Sequence, residues 1–593
     1  MHKELFVRGS GIGPIRMGLV ALGLSALTVT ALARETSSAT TTVYVNAHVF
    51  TAEISAPYAE AVAVRGTKIL AVGTRQSVEK AAGKSAHEVD LHGQFLMPGM
   101  IDAHAHPIYG GITLVMSQYP DTAISVPDLV NFIRRQIGDK ASFIGDTLVI
   151  HGLDLGFWSH ASDIDAILSQ GDFAALPIVL NGYDGHTGWA NQAARLRAGI
   201  NAEFIRHLPV EKRKFFGFDA NFAPNGFVVD FGKGIIDQSL PAPSPGLLLA
   251  AGKAAVRYMN SVGITGWLDA AATGSASGDP LVAGDSGILP IYRELADTGL
   301  LTAHVAAYPV VSPDAGLGQI ALVEKLRHQF SNVPNLTIPG LKIFADGVIE
   351  FPAQTAAMLK PYTNTGTKVE PMFKQAAMNR MVVEADKRGF QVHVHALGDA
   401  AVRASLDAFE LARQQNPAGK LKHAITHVQF ASDDDQGRFA RYNVIAALQL
   451  LWAEADTSTV EMVKPYVDPA AYETMYAARS LLDKGATIAG ASDWPVSTAE
   501  PFMAMYMAET RDGGEGVLFA NQKMPRMAMM YAYTRNSAQA LNQLGTIGTL
   551  AAGKRADLVL VDRDVLTVSA TELKDARVMS TMFAGKVVYG HGL

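Results

Sequence analysis

The chain has 593 residues, of which 48% are hydrophobic and 18% are charged, and its formal net charge is −6. This composition can bury a large core, and the modest charge, with no Lys/Arg-rich run, argues against nucleic-acid binding. There is no cysteine, so disulfides, thiolate metal sites and cysteine nucleophiles are excluded, and any metal must be held by His, Asp, Glu or a modified Lys.

The first 33 residues are typical of an export signal. A basic start precedes the apolar run "MGLVALGLSALTVTALA", and Ala31–Ala33 is a small-x-small cleavage pattern. We therefore predict cleavage after Ala33 and an exported protein, periplasmic or secreted, with no stable membrane association once the signal is removed. An uncleaved membrane anchor is the alternative, although the run is short for a full span.

Both ends of the mature chain have the pattern of β-strands. "TVYVNAHVFTA" and "HEVDLHGQFLMPG" near the start, and "GTIGTLAAGKRADLVLVDRD" near the end, alternate apolar and polar residues or run β-branched between Gly and Asn turns. We predict that residues 34–97 and 541–593 pack into one small β-sandwich domain, with the middle of the chain inserted between them.

Residues 98–540 alternate short apolar runs with helical segments, which predicts an α/β fold. Runs such as "TLVIHG", "PIVLNGYDGH", "LKIFADG" and "FQVHVHALGD" are interpreted as strands of about eight parallel β/α units, arranged as a (β/α)8 TIM-like barrel. A stretch at about 193–247, rich in Phe, Pro and Gly, breaks the rhythm and is predicted to be an inserted subdomain near the barrel mouth.

The segment "FLMPGMIDAHAHP", residues 95–107, places polar side chains two residues apart at the end of an apolar strand. Side chains two apart in a strand share a face, so His104 and His106 are expected to point together, and Asp102 with them. Two imidazoles at a strand end can bind a metal ion. For an isolated His-x-His, a hydrogen-bonded pair is the alternative.

The histidine pair is not isolated, because later apolar runs also end in ligand or base residues. These are Lys342 and Asp346, His393 and His395, His427, and Asp493. In a parallel barrel the carboxyl ends of all strands meet at one mouth. Residues nearly four hundred positions apart in the sequence are therefore expected to converge there.

These motifs, together with "NGYDGHTGWANQAA", "GITGWLDAA", "ASDWPVS" and "GTLAAGKRADLVLVD", resemble those of the amidohydrolase superfamily, specifically the amidohydrolase 3 family, over essentially the whole mature chain. The resemblance implies a metal centre with assigned roles. His104 and His106 would bind the more buried metal, a carboxylated Lys342 would bridge two metals, His395 and His427 would bind the second, and Asp493 would bind metal and act as general base.

The resemblance also implies the chemistry. Two neighbouring divalent cations would acidify a bridging water, and Asp493 would take its proton as the water attacks a carbonyl and then pass it to the leaving amine. The expected activity is metal-dependent hydrolysis of C–N bonds in non-peptide, small-molecule amides of the N-substituted amide or formamide type. Zinc is the default metal, and manganese, iron or cobalt would fit. A homo-oligomer is possible.

Supporting residues are expected around this centre. Asp184, His186 and Trp189 would line the mouth and bind substrate, with His186 at the substrate or its developing oxyanion. Asp102, Asp346 and His393 would support the ligands from behind. Spacing alone does not decide between His393 and His395 as the ligand, and the resemblance favours His395. A structural Lys342 paired with Asp346 or another carboxylate is the alternative to the carboxylated form.

Three residues depart from the family pattern: Thr426 and Asp230 stand where Glu is usual, and Glu350 where small residues are common. They put the substrate in doubt more than the chemistry. If Lys342 is unmodified, the alternative is a mononuclear, deaminase-like site, and carbamate or lactone hydrolysis is also compatible with the fold. A noncatalytic exported binding protein is the alternative of a different class.

Overall fold

The computed structural model describes residues 40–120, 125–273, 281, 283–313 and 315–593. The predicted signal peptide, residues 1–33, lies outside the described residues, so its cleavage stays a prediction. No described helix combines the length and the apolar character that crossing a bilayer requires.

The β-rich stretches at the two ends of the chain form two small sheets. The first contains, in order, Lys68–Gly73, Ala61–Arg65, Thr41–Val45 and His87–Asp90. The second contains, in order, Lys586–Gly590, Val578–Phe583, Leu558–Val561, Phe95–Pro98, His48–Phe50 and Tyr58–Ala59. Its central pair joins both ends of the chain, with Val559 opposite Met97. Apolar side chains of both sheets, including Tyr44 and Leu96, share one buried cluster.

Parallel strands form the middle of the chain, in two sheets. One contains, in order, Leu336–Thr337, His304–Pro309, Ile264–Thr273 and Met100–Ala105. The other contains, in order, Gly340–Phe344, Gln391–Ala396, Ala424–His427, Ile445–Leu448 and Thr487–Gly490. A parallel bridge between Val310 and Lys342 joins the two sheets. Residues of both, among them Ile101, Leu268 and Ala447, form a common buried cluster.

Helices lie between most of these parallel strands, as the sequence pattern predicts. Among the described residues, the helices of the whole chain that have eight residues or more are Arg75–Ala82, Pro107–Val115, Val126–Gln136, Ala161–Leu168, Phe231–Ser239, Pro245–Ser261, Leu289–Asp297, Gly318–Gln329, Gln375–Lys387, Asp399–Gln415, Asp433–Arg441 and Pro501–Thr510. The shorter helix Ala478–Asp483 precedes the strand Thr487–Gly490. Regular strand–helix alternation is the arrangement that covers a parallel sheet with helices.

A further sheet of six strands lies, in chain order, between Met100–Ala105 and Ile264–Thr273. Its order is Phe216–Phe218, Pro224–Val229, Thr187–Ala190, Ile178–Gly182, Thr147–Leu153 and Phe143–Ile144. The insertion was predicted at about 193–247, but this sheet begins at Phe143, and two runs assigned to the barrel belong to it. Those two runs pair in parallel around the helix Ala161–Leu168. Their sequence pattern is therefore that of an ordinary β/α unit and does not reveal which sheet they join.

The helix Pro107–Val115, which starts directly after His106, packs closely on the helix Pro245–Ser261. The approach depends on a glycine, because a Cβ at Gly111 would lie 2.0 Å from the carbonyl oxygen of Ala251. No larger residue fits there without moving one backbone away from the other. This contact fixes the helix that continues from the histidine-bearing strand.

Candidate metal centre

The six residues that the resemblance assigns to metal binding lie on or just beyond parallel strands. His104 is in Met100–Ala105 and His106 follows it, Lys342 is in Gly340–Phe344, His395 is in Gln391–Ala396, His427 ends Ala424–His427, and Asp493 follows Thr487–Gly490. The fold thus brings these parts of the chain to one region, as the sequence argument expects.

Asp493 is the residue around which the histidines gather. The Nε2 atoms of His104 and His106 each lie 3.2 Å from Asp493 Oδ1, and His427 Nδ1 lies 4.0 Å from Asp493 Oδ2. One ligand atom each from His104, His106 and Asp493 fall within 4.8 Å of one another. Imidazole and carboxylate at such spacing form a donor set suited to zinc and similar divalent metals.

The backbone at two of these residues adopts a left-handed conformation that residues other than glycine rarely adopt. The φ angles of His427 and Asp493 are 72° and 58°. The Asp493 N–H donates to the carbonyl oxygen of His104 at 2.8 Å, and the His106 N–H donates to that of Trp494 at 2.8 Å. These bonds join the two chain segments, and unusual backbone angles held in this way are typical of functional sites.

Several buried polar atoms at the centre lack a hydrogen-bond partner among the described residues. They are Lys342 Nζ, both ring nitrogens of His427, Asp493 Oδ1 and His393 Nδ1. Buried polar groups are normally satisfied, because leaving them unpaired costs free energy. A cation bound among them would satisfy the nitrogen lone pairs and the carboxylate, so the residues present fit a metal site.

Lys342 is fully buried, and burial lowers its pKa to about 7. A substantial fraction of the side chain is therefore neutral amine near neutral pH. The alternative pairing with Asp346 is wrong, because the Asp346 carboxylate accepts instead from the backbone N–H groups of Ala357, Leu397 and Gly398 at 3.0, 3.1 and 2.9 Å. Among the described residues, Lys342 forms no ion pair.

The two histidines of "VHVHA" differ in their contacts. His393 Nε2 lies 2.7 Å from His104 Nδ1, so it fixes the His104 ring from behind. His395 lines the cavity described below, and its Nε2 lies 3.1 Å from the carbonyl oxygen of Gly347. These contacts favour His395 as the metal ligand and His393 as the residue that supports His104. The spacing alone left this choice open.

Asp102, which the strand pattern predicts to point with His104 and His106, is fully buried and held by hydrogen bonds. It accepts hydrogen bonds from the His104 N–H at 3.0 Å and from the N–H and Oγ of Ser492 at 3.1 and 2.5 Å. Asp102 therefore joins the histidine strand to the residue before Asp493, a contact consistent with the predicted supporting role.

Although burial favours the neutral acid, the neighbouring His106 and His427 rings hold the pKa of Asp493 below its ordinary value. Burial alone also disfavours a charged His186, but Asp230 outweighs it and raises the pKa of His186 to about 9. His186 Nδ1 lies 2.6 Å from Asp230 Oδ1, and the other carboxylate oxygen of Asp230 accepts from Thr355 Oγ1. The site thus combines an ionised carboxylate with a paired imidazolium.

The other two predicted substrate contacts behave differently from His186. Asp184 lines the cavity but uses Oδ1 to accept from His186 N–H and from the N–H and Oγ1 of Thr187, so it also shapes the turn. Trp189 is wrongly assigned to substrate binding: it is fully buried, and its Nε1 donates to the carbonyl oxygens of Ala161 and Asn225. It belongs to the strand Thr187–Ala190, where alternation turns it into the core.

A cavity of about 260 Å³ opens beside the centre. Its lining includes His186, His395, His427 and Asp493, and also Tyr183, Glu350, Trp452, Glu454 and Tyr476. Sequence reasoning missed Trp452, Glu454 and Tyr476, because they lie in irregular segments without a strand-end motif. Of the departures from the family pattern, Glu350 lines this cavity, whereas Thr426 is buried and donates to the carbonyl oxygen of Ala447 at 3.2 Å.

Comparison with known proteins agrees with this geometry. A sequence model described as the amidohydrolase family matches residues 87–589. The chain is 28% identical over 408 residues to the exoenzymes regulatory protein AepA of Pectobacterium carotovorum subsp. carotovorum, covering 67% of this chain and 82% of that protein. It is 26% identical over 575 residues to the N-substituted formamide deformylase of Arthrobacter pascens, covering 92% and 97%.

A similar fold is found among solved structures. The crystal structure of an uncharacterised metal-dependent hydrolase from Pyrococcus horikoshii OT3 matches with a TM-score of 0.68 at 21% identity, covering 90% of this chain and 99% of that one. The likeness covers most of the chain, so the two proteins share a fold.

Proposed function

The chain belongs to the amidohydrolase family and is a metal-dependent hydrolase of C–N bonds; from this premise we propose that its substrates are N-substituted, non-peptide amides. The observation that carries the proposal is the convergence of His104, His106, His427 and Asp493, with buried polar atoms that lack partners. The likeness to a protein named N-substituted formamide deformylase supports the amide class.

We infer that two divalent metals, zinc by default, bind here. His104, His106 and Asp493 would hold the first, and His395 and His427 the second. Lys342, as the carbamate formed by its neutral amine with carbon dioxide, would bridge them. When bound, the metals supply an acidified water and polarise the carbonyl oxygen of the amide.

The chain's own residues then move the protons. Asp493 carries the depressed pKa of an ionised carboxylate, accepts the proton of the attacking water, and delivers it to the leaving nitrogen. His186, held at Nδ1 by Asp230, presents Nε2–H to the carbonyl oxygen as negative charge develops there. His393 keeps the His104 ring in place through the 2.7 Å contact.

A single-metal centre is the second candidate, and one observation favours it. Among the described residues, only His104, His106 and Asp493 form a group of three His, Asp or Glu side chains close enough to bind one ion together. In that arrangement Lys342 remains unmodified, and the chemistry moves toward deamination.

Metal content measured by inductively coupled plasma mass spectrometry tests the proposal, on protein purified without chelator in the presence of bicarbonate. About two metals per chain, reduced by Lys342→Ala, together with hydrolysis of N-formyl or N-acetyl amines, is the expected result. About one metal per chain, unaffected by Lys342→Ala, favours the single-metal candidate. No uptake of zinc contradicts both.

We further propose that the strands of the two parallel sheets, apart from the short Leu336–Thr337, close into a (β/α)8 barrel. We also propose that the two small sheets form a β-sandwich built from residues 34–97 and 541–593. The bridge between Val310 and Lys342 and the common buried cluster of both parallel sheets support closure. Export with cleavage after Ala33 is proposed from the sequence, and N-terminal sequencing of the secreted product tests it.

A further inference from the structure

The cavity beside the centre carries an acidic wall that the proposed chemistry does not use. Besides Asp493, four of its lining residues bear carboxylates: Asp184, Glu350, Glu454 and Asp456. Among the described residues that line it, none is Lys or Arg. The one cationic lining side chain, His186, is already paired with Asp230. The cavity therefore holds negative charge that its own wall does not neutralise.

These carboxylates keep oxygens available. The three side-chain hydrogen bonds that Asp184 accepts all end at Oδ1, and so do the two that Asp456 accepts from Thr459. Glu350 accepts at Oε1 from Gln429 Nε2, at 3.1 Å. The Glu454 carboxylate accepts no hydrogen bond from another described residue, although the Glu454 carbonyl oxygen accepts from Thr459 Oγ1. Unpaired carboxylate oxygens in a partly desolvated wall favour a ligand that brings positive charge.

Aromatic rings accompany the acids in the same cavity. Trp452 stacks on His427, with ring centroids 5.8 Å apart and planes inclined by 6°. Tyr476 also lines the cavity, and burial together with the nearby charges of Glu350, Asp456 and Glu454 holds its pKa well above the ordinary value. Aromatic faces beside carboxylates form a typical environment for ammonium groups.

The nearby guanidinium does not neutralise this wall. Arg511 is fully buried and donates to the backbone carbonyl oxygens of Leu518, Tyr476 and Met475, not to the carboxylates. Burial raises the pKa of Glu454 to about 7 and that of Glu350 above its ordinary value. Ionising these acids in the empty cavity is therefore costly, and a neighbouring cation would reduce that cost.

The reacting end of the cavity is marked by an independent feature. His427 lines the same cavity, is 3% exposed, and has no hydrogen-bond partner among the described residues at either ring nitrogen. We propose that the substrate is an amide whose substituent carries an ammonium group, an N-acyl derivative of a diamine, with the amide at His427 and Asp493 and the ammonium among Glu350, Glu454 and the aromatic rings. This proposal rests on the proposed amide hydrolysis.

Three formamides of similar length test the charge preference of the zinc-loaded enzyme. They are N-formyl-1,4-diaminobutane, which is cationic, N-formylpentylamine, which is neutral, and N-formyl-4-aminobutanoate, which is anionic. We expect kcat/KM for the cation to exceed that for the neutral amide at least about tenfold, and that for the anion about a hundredfold. Equal values for the cation and the neutral amide would overturn the ammonium proposal and leave amide hydrolysis intact.

Variants locate the preference. Glu454→Gln and Glu350→Gln keep the side-chain size, and each is expected to lower the cation-to-neutral ratio of kcat/KM about tenfold. Glu294→Gln, which removes a charge from the exposed face of the helix Leu289–Asp297, is the matched control and should leave the ratio unchanged. A ratio that falls equally in all three variants contradicts a local site.

A binding measurement separates this proposal from the proposed function. If none of the formamides is hydrolysed by metal-loaded enzyme, amide hydrolysis fails. Calorimetric titration with 1,4-diaminobutane and with pentylamine then decides the ammonium site by itself. Tighter binding of the diamine, weakened by Glu454→Gln, supports the site, and equal or absent binding of both amines overturns it.

Discussion

Replacing Lys342 with methionine is expected to stabilise the metal-free protein while abolishing its activity. Burial lowers the pKa of this lysine from 10.5 to about 7, so folding at pH 7 must either release the proton that the unfolded chain keeps or bury the charged form. Since each tenfold change in an equilibrium corresponds to about 1.4 kcal/mol, this costs about 5 kcal/mol. Methionine has similar length and no charge, so it removes the cost without opening a large cavity.

The pH dependence gives the sharper test. The free-energy cost of burying Lys342 has its full value below about pH 7. At that pH the lysine is protonated in the unfolded chain, and burial opposes the same charge in the folded chain. The cost shrinks as the pH rises toward 10.5, where the unfolded lysine also becomes neutral. The gain from Lys342→Met should therefore be a few kcal/mol at pH 7 and small near pH 10.5.

Urea unfolding of chelator-treated protein in bicarbonate-free buffer measures this gain from the transition midpoints. Lys420→Met, at an exposed position, is the matched control and should change the free energy of unfolding little. An equal or lower midpoint for Lys342→Met at pH 7, or a gain that does not depend on pH, would show that the buried amine is not the source of the cost.

Three further predictions concern catalysis and packing. Asp493→Asn is expected to lower kcat/KM by about 10²–10⁴-fold, because an amide cannot accept the proton of the attacking water. The histidines should retain the metal, as measured by mass spectrometry. Unchanged turnover would remove Asp493 from the mechanism. The pKa of His186 is raised to about 9, so its protonated, donating form is present below that pH, and kcat/KM should fall as the pH rises through about 9. Asp230→Asn should move this fall to lower pH. An unchanged pH profile would contradict a role for the His186–Asp230 pair. Gly111→Ala should destabilise the fold by about 1–3 kcal/mol in thermal or urea unfolding, because the new Cβ meets the carbonyl oxygen of Ala251. Gly437→Ala is the control: this glycine lies in a helix and a Cβ there would meet open space, so the change should be neutral or slightly stabilising.

The sequence identified the residues at strand ends well, because strand periodicity and the geometry of parallel sheets act together. His104, His106, His427 and Asp493 are separated by up to nearly four hundred positions, yet each follows or ends an apolar run. Parallel topology then requires that such ends meet. The same local signals place the support from His393, which lies two residues before His395.

Features that depend on strand register or on the paths of loops could not be predicted from the sequence. Asp102 accepts hydrogen bonds from Ser492, nearly four hundred residues further along the chain, and no local sequence pattern predicts that contact. Trp189 has the composition of a binding residue but lies on the core side of its strand. Glu454 and Trp452 reach the cavity from segments between regular elements, where neighbours in space are not fixed by periodicity.

The six-stranded sheet shows a related limit of sequence patterns. The strands Thr147–Leu153 and Ile178–Gly182 flank a helix and pair in parallel, which is also the local pattern of a barrel unit. What distinguishes them is the pairing of Ile178–Gly182 with Thr187–Ala190, which in turn pairs with Pro224–Val229. Those partners are antiparallel, and a single-sequence pattern of apolar runs does not encode strand direction.

The pairing of Phe95–Pro98 with Leu558–Val561 has a consequence for the order in which the chain can fold. The strand that leads directly into His104 is synthesised early, but its hydrogen-bonding partner appears only after about 460 further residues. Closing so long a loop is slow, and until it closes the early strand presents an unpaired apolar edge. The nascent protein therefore depends on its last strands to seal the segment that begins the catalytic centre, and loss of those strands should expose newly made chains to aggregation.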